Sequence, residues 1–276
     1  MMKEVKFAAG VTLYNPTKDE LDNIALLGES FDKIYLFDNS EPGYKKPIFV
    51  FDEKFEVLTE NRNQGLPYAF NAIVARCTNF DFLCTLDQDS KFSPLDINKI
   101  KQYITTLDSE IGVVAPFVNY GYEKIQPCDK TESKSWVITS GSFVNLKVLR
   151  KENIRYDENY FIDKFEIDLC EQLRNRKYPI LMFYGSTLHQ SLGEENGHRH
   201  SNHGVIRHYY LFRNRFYFNN KWHKGFKKYY LNILQTARHL YLILMYEEHK
   251  TRKIKTLHKA FRDYKEGRMG KLIEQC

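Results

Sequence analysis

Cysteine is scarce in this chain and follows no pattern. Cys77, Cys84, Cys128, Cys170 and Cys276 are odd in number, scattered and never spaced as CxxC. The pattern excludes a disulfide framework and a zinc cage and fits a reducing compartment. Long apolar runs are missing too. The most apolar stretch, residues 229–246, is broken by Asn232, Gln235, Arg238 and His239, well short of the roughly 20 apolar residues a spanning helix needs. The start has no basic region with a small-residue cleavage site, and there is no internal repeat or low-complexity tract, so a folded cytoplasmic protein is expected.

What is present suffices for a core: 42% of the 276 residues are apolar and 15% aromatic. Charge is uneven. From residue 221 onward there are 14 Lys and Arg against 5 Asp and Glu, a balance of +9 that leaves −3 for residues 1–220. The basic character therefore sits in a C-terminal extension, residues 221–276, which reads as helical, basic and aromatic. Such a face suits an anionic membrane surface or plain solvent.

Ahead of it, β-prone runs alternate with helical patterns. Residues 5–14, 33–38, 55–58 and 80–86 read as strands. A helix with Leu21, Ile24, Leu26 and Leu27 on one side follows Thr17, a candidate N-cap, and a second helix covers 67–77. Further on come strand-like residues 112–117 and 179–183, an apolar stretch at 136–145 and a helix over about 165–176. This order predicts an α/β fold: a mostly parallel, Rossmann-like sheet flanked by helices, with ligands beyond the carboxyl ends of the strands. Tyr14-Asn15, Asp38-Asn39 and Asp87-Gln88-Asp89 stand at three of those ends.

Two carboxylates one residue apart after a buried strand, Asp87 and Asp89, can hold a hard cation together with diphosphate oxygens. Taken alone, the triplet reads more readily as a polar turn than as a metal site, because Asp favours turns and caps. His189, His203 and the His198-Arg199-His200 run invite a metal reading, yet no histidine pair has the i, i+4 spacing of a zinc-protease helix.

An ordered set of motifs resembles glycosyltransferase family 2, of GT-A fold, and specifically its bacterial rhamnosyltransferase-like branch. Val11-Thr12-Leu13-Tyr14-Asn15-Pro16 resembles the family's first strand and loop, and Phe37-Asp38-Asn39-Ser40 its second. Asn63-Gln64-Gly65 with Ala69 and Asn71 resembles its N-x-G helix start, and Asp87-Gln88-Asp89-Ser90 its metal-binding triplet. Thr139-Ser140-Gly141-Ser142 resembles the acceptor-side turn, and Phe161-Ile162-Asp163 with Glu166 and Asp168 the acidic catalytic segment. His203, Arg207, Tyr209-Tyr210 and Arg213-Asn214 follow in family order, and Gly267-Arg268-Met269-Gly270-Lys271 resembles the closing motif. The chain departs from the pattern at Phe165-Glu166, where the family often has Val-Asp, and at Gln172, where it usually has Arg.

The resemblance implies a metal-dependent inverting transferase that moves a sugar from a nucleoside-diphosphate donor to a glycan or lipid-linked acceptor in bacterial cell-surface polysaccharide synthesis. It favours dTDP-L-rhamnose, with UDP-hexose or UDP-galactofuranose next. Thr12, Tyr14, Asn15, Asp38, Asn63, Gly65, Asp87 and Gln88 are expected to bind the nucleotide sugar, and Arg213 to grip its diphosphate. Asp89, Asp87 and His189 would hold Mn²⁺ or Mg²⁺. Ser140, Gly141 and Trp136 would face the acceptor, and one of Glu166, Asp163 and Asp168 would be the base, with Glu166 at the family's position. A catalytic domain of residues 1–220 is implied, its nucleotide-sugar half about 1–90 and its acceptor half about 91–220, at the inner face of the cell membrane. Two rival readings are a catalytically silent nucleotide-sugar binder of the same fold and a nucleic-acid binder using the basic tail. The second explains the tail alone, since acidic turns over the first 190 residues would repel a polyanion.

Overall fold

Buried strands and amphipathic helices alternate to build one eight-stranded sheet in a computed structural model that describes residues 4–45, 47–107, 110–121, 128–190 and 203–273. The chain runs β1 (Phe7–Leu13), α1 (Lys18–Ala25), a 3₁₀ turn (Leu26–Glu29), β2 (Ile34–Asp38), β3 (Phe55–Thr59), α2 (Leu66–Arg76), β4 (Phe82–Asp87) and α3 (Pro94–Thr105). It continues through β5 (Val113–Asn119), β6 (Thr131–Ser133), β7 (Ser142–Asn145), α4 (Leu146–Glu152), α5 (Phe165–Asn175) and β8 (Ile180–His189), and ends with α6 (Val205–Trp222), α7 (Gly225–Tyr246) and α8 (Lys250–Lys265). The strand order is β3-β2-β1-β4-β7-β5-β8-β6. The β1–β2, β2–β3, β1–β4 and β5–β8 pairs are parallel, while β7 runs antiparallel between β4 and β5 and β6 lies antiparallel on β8.

Every residue of β1 is buried, as a central strand covered on both faces requires. Alternation along the strands sorts the core. Ala8, Tyr35 and Phe37 pack with Ala69, Phe70 and Ile73 of α2 and with α4 and α5, whereas Ala9, Val11, Ile34 and Leu36 pack with Leu21 and Ile24 of α1 and Ile97 and Ile100 of α3. A Cβ on Gly10 would lie 2.8 Å from Ile73 Cγ2, so the missing side chain lets α2 sit against β1.

Thr17 caps α1 with a full capping box: its hydroxyl accepts from Glu20 N–H, and the Glu20 carboxylate accepts from Thr17 N–H. Leu21, Ile24 and Leu27 are buried, but Leu26 is exposed because the helix tightens into the 3₁₀ turn at that residue and rotates it outward. The structure adds helix α3, where Ser93 caps a helix that buries Ile97, Ile100 and Ile104, and the short helix α4, capped by Asn145. The helical C-terminal part begins at Val205, so the sequence boundary at residue 220 falls inside α6. Tyr209, Tyr210 and Phe212 of α6 pack with Ile243, Leu257 and Ala260 of α7 and α8 and with Phe161, which binds this unit to the acidic segment.

Candidate active site

The parallel register brings the polar strand ends together. Thr12 pairs with Asp87 on one side, and Leu13 with Asp38 on the other. The chain leaves β1 for β2 and later returns to β4 on the opposite side, and that switch opens the crevice in which such sheets bind ligands. Thr12 and Asp38 are buried there, and Asp38 Oδ1 accepts from Ser40 N–H at 2.8 Å. Asn15 has φ +48° and donates its N–H to Ser40 Oγ, while its own Oδ1 is buried without a protein partner among the described residues. An acceptor held in that position is suited to a donor ligand. Tyr14 is half exposed rather than a core aromatic. Gln88, expected on the donor, is instead spent on the scaffold: its amide accepts from Tyr14 N–H at 2.7 Å and donates to Tyr14 O and to Glu20 Oε1.

Asn63 and Gly65 shape a turn. Asn63 Oδ1 accepts from Gly65 N–H, and Asn39 holds the turn through Gln64 N–H and Gly65 O. Gly65 has φ +86°, and a Cβ there would lie 2.5 Å from Phe161 O, the carbonyl that accepts from Leu66 N–H. Only glycine fits. This contact joins the nucleotide half to the acidic segment.

Ser140 and Gly141, expected to face the acceptor, brace the metal-type triplet from inside. Ser140 is buried, accepts from Asp87 N–H at 3.2 Å and shares a hydroxyl hydrogen bond with Ser90, while Gly141 N–H donates to Thr85 O at 2.7 Å. Trp136 is about half exposed and free of that packing. Asp87 is pushed up to about 6, first by burial and then by the Asp89 charge, against the pull of the Gln190 amide and the Arg207 guanidinium. Asp89, more exposed, is raised by partial desolvation and by Glu20. Two carboxylates that resist sharing their charge fit a divalent cation whose other ligands are diphosphate oxygens and water. His189 does not complete that set. Its backbone bridges Lys91 at the edge of the sheet, its side chain is exposed, and among the described residues no group of three His, Cys, Asp or Glu is placed to hold a metal. Its neighbour Gln190 reaches Asp87 Oδ2 instead, at 3.4 Å. His198, Arg199 and His200 lie outside the described residues.

The acidic segment reaches the same site under backbone strain: Phe161, Asp163 and Lys164 all have positive φ, at +63°, +58° and +74°. Glu166 lies in the first turn of α5, half buried, and its Oε2, like Asp163 Oδ2, is shielded from solvent without a hydrogen-bond partner among the described residues. Burial raises its carboxyl to about 7, and the charges of Asp163 and Asp87 add to the rise. Asp163 is also raised by burial, opposed by Arg207, whose Nη2 lies 3.3 Å from its Oδ1. Glu166, Asp163, Asp87, Asp89 and Arg207 therefore share one electrostatic neighbourhood.

Two expectations fail for the same reason, namely that the side chain is already saturated. Asp168 is fully buried and accepts from Tyr160 Oη, Trp222 Nε1, Gln172 Nε2 and Lys221 Nζ at 2.7–3.0 Å, so it ties α5 to α6 and cannot serve as a base. Gln172, at the family's Arg position, is thereby absorbed as well. Arg213 is fully buried too, and its guanidinium donates to the carbonyls of Asn159, Tyr160, Arg268 and Gly270 and to Tyr209 Oη. Beside it, Asn214 Nδ2 donates to the carbonyls of Tyr160, Ile162 and Asp163. Together they hold the strained segment in shape, while Arg207, half exposed, pairs with Asp163 and lowers the Asp87 carboxyl. Arg213→Met should therefore cost about 3–5 kcal/mol in chemical denaturation, because several buried carbonyls lose a charged donor. Arg207→Ala should leave the denaturation midpoint within error and cut transfer by about 10- to 100-fold.

Residues 21–164, more than half of the chain, match the family described as Glycosyl transferase family 2. The chain belongs to this family. Its fold is also that of solved glycosyltransferases. TarS 1-349 of S. aureus superposes with a TM-score of 0.59 at 11% identity, covering 94% of this chain and 81% of that one, and the same protein in complex with UDP-GlcNAc gives 0.57 at 13% identity with 94% and 80% coverage. GalNAc-T7 with UDP, GalNAc and Mn²⁺ gives 0.55 at 10% identity, covering 78% of this chain and 51% of that one. Comparison with curated sequences yields no match. Within the family frame, Arg207 and Gln190 are the site residues that the motif reading did not assign to a ligand. Arg207 carried a signal, its place in the H…R-x-YY…RN run; Gln190 carried none.

Proposed function

We propose that this glycosyl transferase family 2 chain performs a single inverting displacement from a nucleoside-diphosphate sugar. The supporting observation is that two acidic groups share one site: Asp87 and Asp89 at the β4 end, and Glu166 of α5, whose Oε2 has no hydrogen-bond partner among the described residues and whose carboxyl, raised to about 7 by burial, feels the Asp87 charge. A group with a pKa near the working pH is suited to take the proton of an acceptor hydroxyl. An inverting displacement puts that group on the face of the sugar away from the leaving group. Asp89 and Asp87 would hold Mn²⁺ or Mg²⁺, which when bound supplies Lewis-acid neutralisation of the diphosphate. Arg207 adds a side-chain cation to the same charge. Thr12, Tyr14, Asn15 and Asp38 line the nucleotide end of the crevice, and Trp136 offers an aromatic face to the acceptor.

The ordered motifs of residues 5–275 favour the rhamnosyltransferase-like branch and dTDP-L-rhamnose, with UDP-hexose or UDP-galactofuranose next. The bound UDP-GlcNAc of the TarS complex and the UDP and Mn²⁺ of GalNAc-T7 agree with a nucleoside-diphosphate donor and a divalent cation. The acceptor is read as a glycan or lipid-linked saccharide of cell-surface polysaccharide synthesis, met at the inner face of the cell membrane. No helix of the described residues is long and apolar enough to cross a membrane. In this reading residues 1–220 are catalytic, about 1–90 serving the donor and about 91–220 the acceptor, and residues 221–276 form the helical extension. A thermal-shift panel of dTDP-, UDP- and GDP-sugars with and without Mn²⁺ or Mg²⁺ tests the donor. The dTDP series should raise the midpoint most and only with metal, since a ligand binding the native state stabilises it in proportion to occupancy. No shift with any of these donors would refute the reading.

A further inference from the structure

Helix α7 is packed with its polar side inward. Asn219 Nδ2 of α6 donates to Asn232 Oδ1 at 2.7 Å and to Gln235 Oε1 at 3.0 Å, Arg215 Nη2 donates to Thr236 Oγ1, and His239 Nε2 lies 2.7 Å from His208 Nδ1. Of its 22 residues Ile243 alone is buried. The outward side carries Phe226, Tyr230, Ile233, Leu234, Tyr241 and Leu244, with Phe226 81% and Ile233 71% exposed. Their spacing of three, four and seven draws one continuous stripe along the helix. Scattered exposed apolar residues need no explanation, but a stripe along six turns of helix whose polar residues face inward does.

Charge decides what covers it. Residues 225–246 contain Lys227, Lys228 and Arg238 and no acid. Helix α8 carries one acid, Asp263, which is bound by Lys259 and Arg268, and with Lys253 buried against Glu247 it exposes Lys250, Arg252, Lys255, Arg262 and Lys265. A second copy seated on the stripe by a two-fold axis would set Lys227, Lys228 and Arg238 against their own counterparts, and α7 itself supplies no carboxylate to separate them. A surface of negative charge over an apolar interior meets both features at once. We infer that α7 lies in the plane of an anionic bilayer, its apolar stripe below the headgroups and the α7 and α8 cations among their phosphates.

The placement bears on the site. His239 pairs with His208, and the adjacent Arg207 reaches Asp163, so the C-terminal half of α7 stands beside the mouth of the cleft. A docked chain would thus open its acidic segment towards an acceptor anchored in the same bilayer, a consequence that rests on the lipid-linked acceptor proposed above.

The test is flotation of the full chain with vesicles of phosphatidylcholine alone or mixed with phosphatidylglycerol. Binding should appear on the anionic vesicles, fall about tenfold or more on the neutral ones, and weaken with salt. The double variant Ile233→Glu with Leu244→Glu alters exposed positions only. It should lose about tenfold or more of vesicle binding while keeping the wild-type melting temperature and the donor-induced shift. Absence of binding to both vesicles, equal binding by the variant, or a dimer in solution that the same two substitutions dissociate would each overturn the inference. Flotation that survives in a chain unable to bind any nucleotide would uphold the docking and sink the transferase reading instead.

Discussion

Replacing Glu166 by Gln is expected to lower the transfer rate by about 10²- to 10⁴-fold while donor binding survives, because the amide keeps the shape of the side chain but cannot accept a proton. The nucleotide and the cation are assigned to the β1, β2 and β4 ends and not to α5, so the dissociation constant for the donor should hold. In the wild type, the rate should fall as pH drops through about 7, where Glu166 takes up its proton. The variant should lose that limb. Stability supplies an independent readout. The Glu166 carboxyl is raised above its unfolded value of 4.5, so the folded chain binds more protons between pH 4.5 and 7, and stability falls as pH rises through that window. Glu166→Gln removes this penalty and should be more stable than the wild type at pH 8, by about 3 kcal/mol at most. Wild-type turnover by Glu166→Gln, with Asp163→Asn inactive, would move the base to Asp163. Full activity in both would remove the base from this segment altogether.

Asp89→Ala is expected to abolish measurable transfer, a loss of about 10³-fold or more, since neutralising a departing diphosphate contributes several kcal/mol. Asp89 is exposed and outside the core, so the melting temperature should change little. It should rise slightly if anything, because removing one charge relieves Asp87, which burial and Asp89 together hold up at about 6. The metal-dependent part of the donor-induced thermal shift should vanish with the substitution. Activity retained by Asp89→Ala in metal-supplemented buffer would count decisively against the site.

Much of the donor side is legible along the chain because it depends on local features. Strand ends carry their polar residues wherever the sheet goes, so Tyr14-Asn15, Asp38-Asn39 and the Asp87 to Asp89 turn could be placed at one edge from alternation alone. Thr17 announced its helix through a capping box that closes within four residues. Helix α3 carried a start signal in Ser93-Pro94 and an apolar face in Ile97, Ile100 and Ile104, whereas α4, seven residues that follow buried β7 directly, is too short for a helical period to show.

Roles inside a motif are another matter, because a residue type names a capacity and not a neighbour. Arg213, Asp168, Gln88 and Ser140 have the chemistry of ligand-binding groups, yet each is consumed by partners 50 or more positions away in sequence. No local pattern reports such contacts. Arg207, six positions before Arg213 on the same helix, is half exposed and reaches Asp163 instead, because α6 turns that part of its surface outward. By itself, then, the sequence determined the α/β alternation, the family motifs and the acidic residues that could act, all properties of short segments and their order. Only the tertiary structure decided which carboxylates keep a buried oxygen without a partner among the described residues, which arginine pairs with the acidic segment and which side of α7 faces out, because each depends on burial and on saturation by distant groups, and those exist only once the chain has closed on itself.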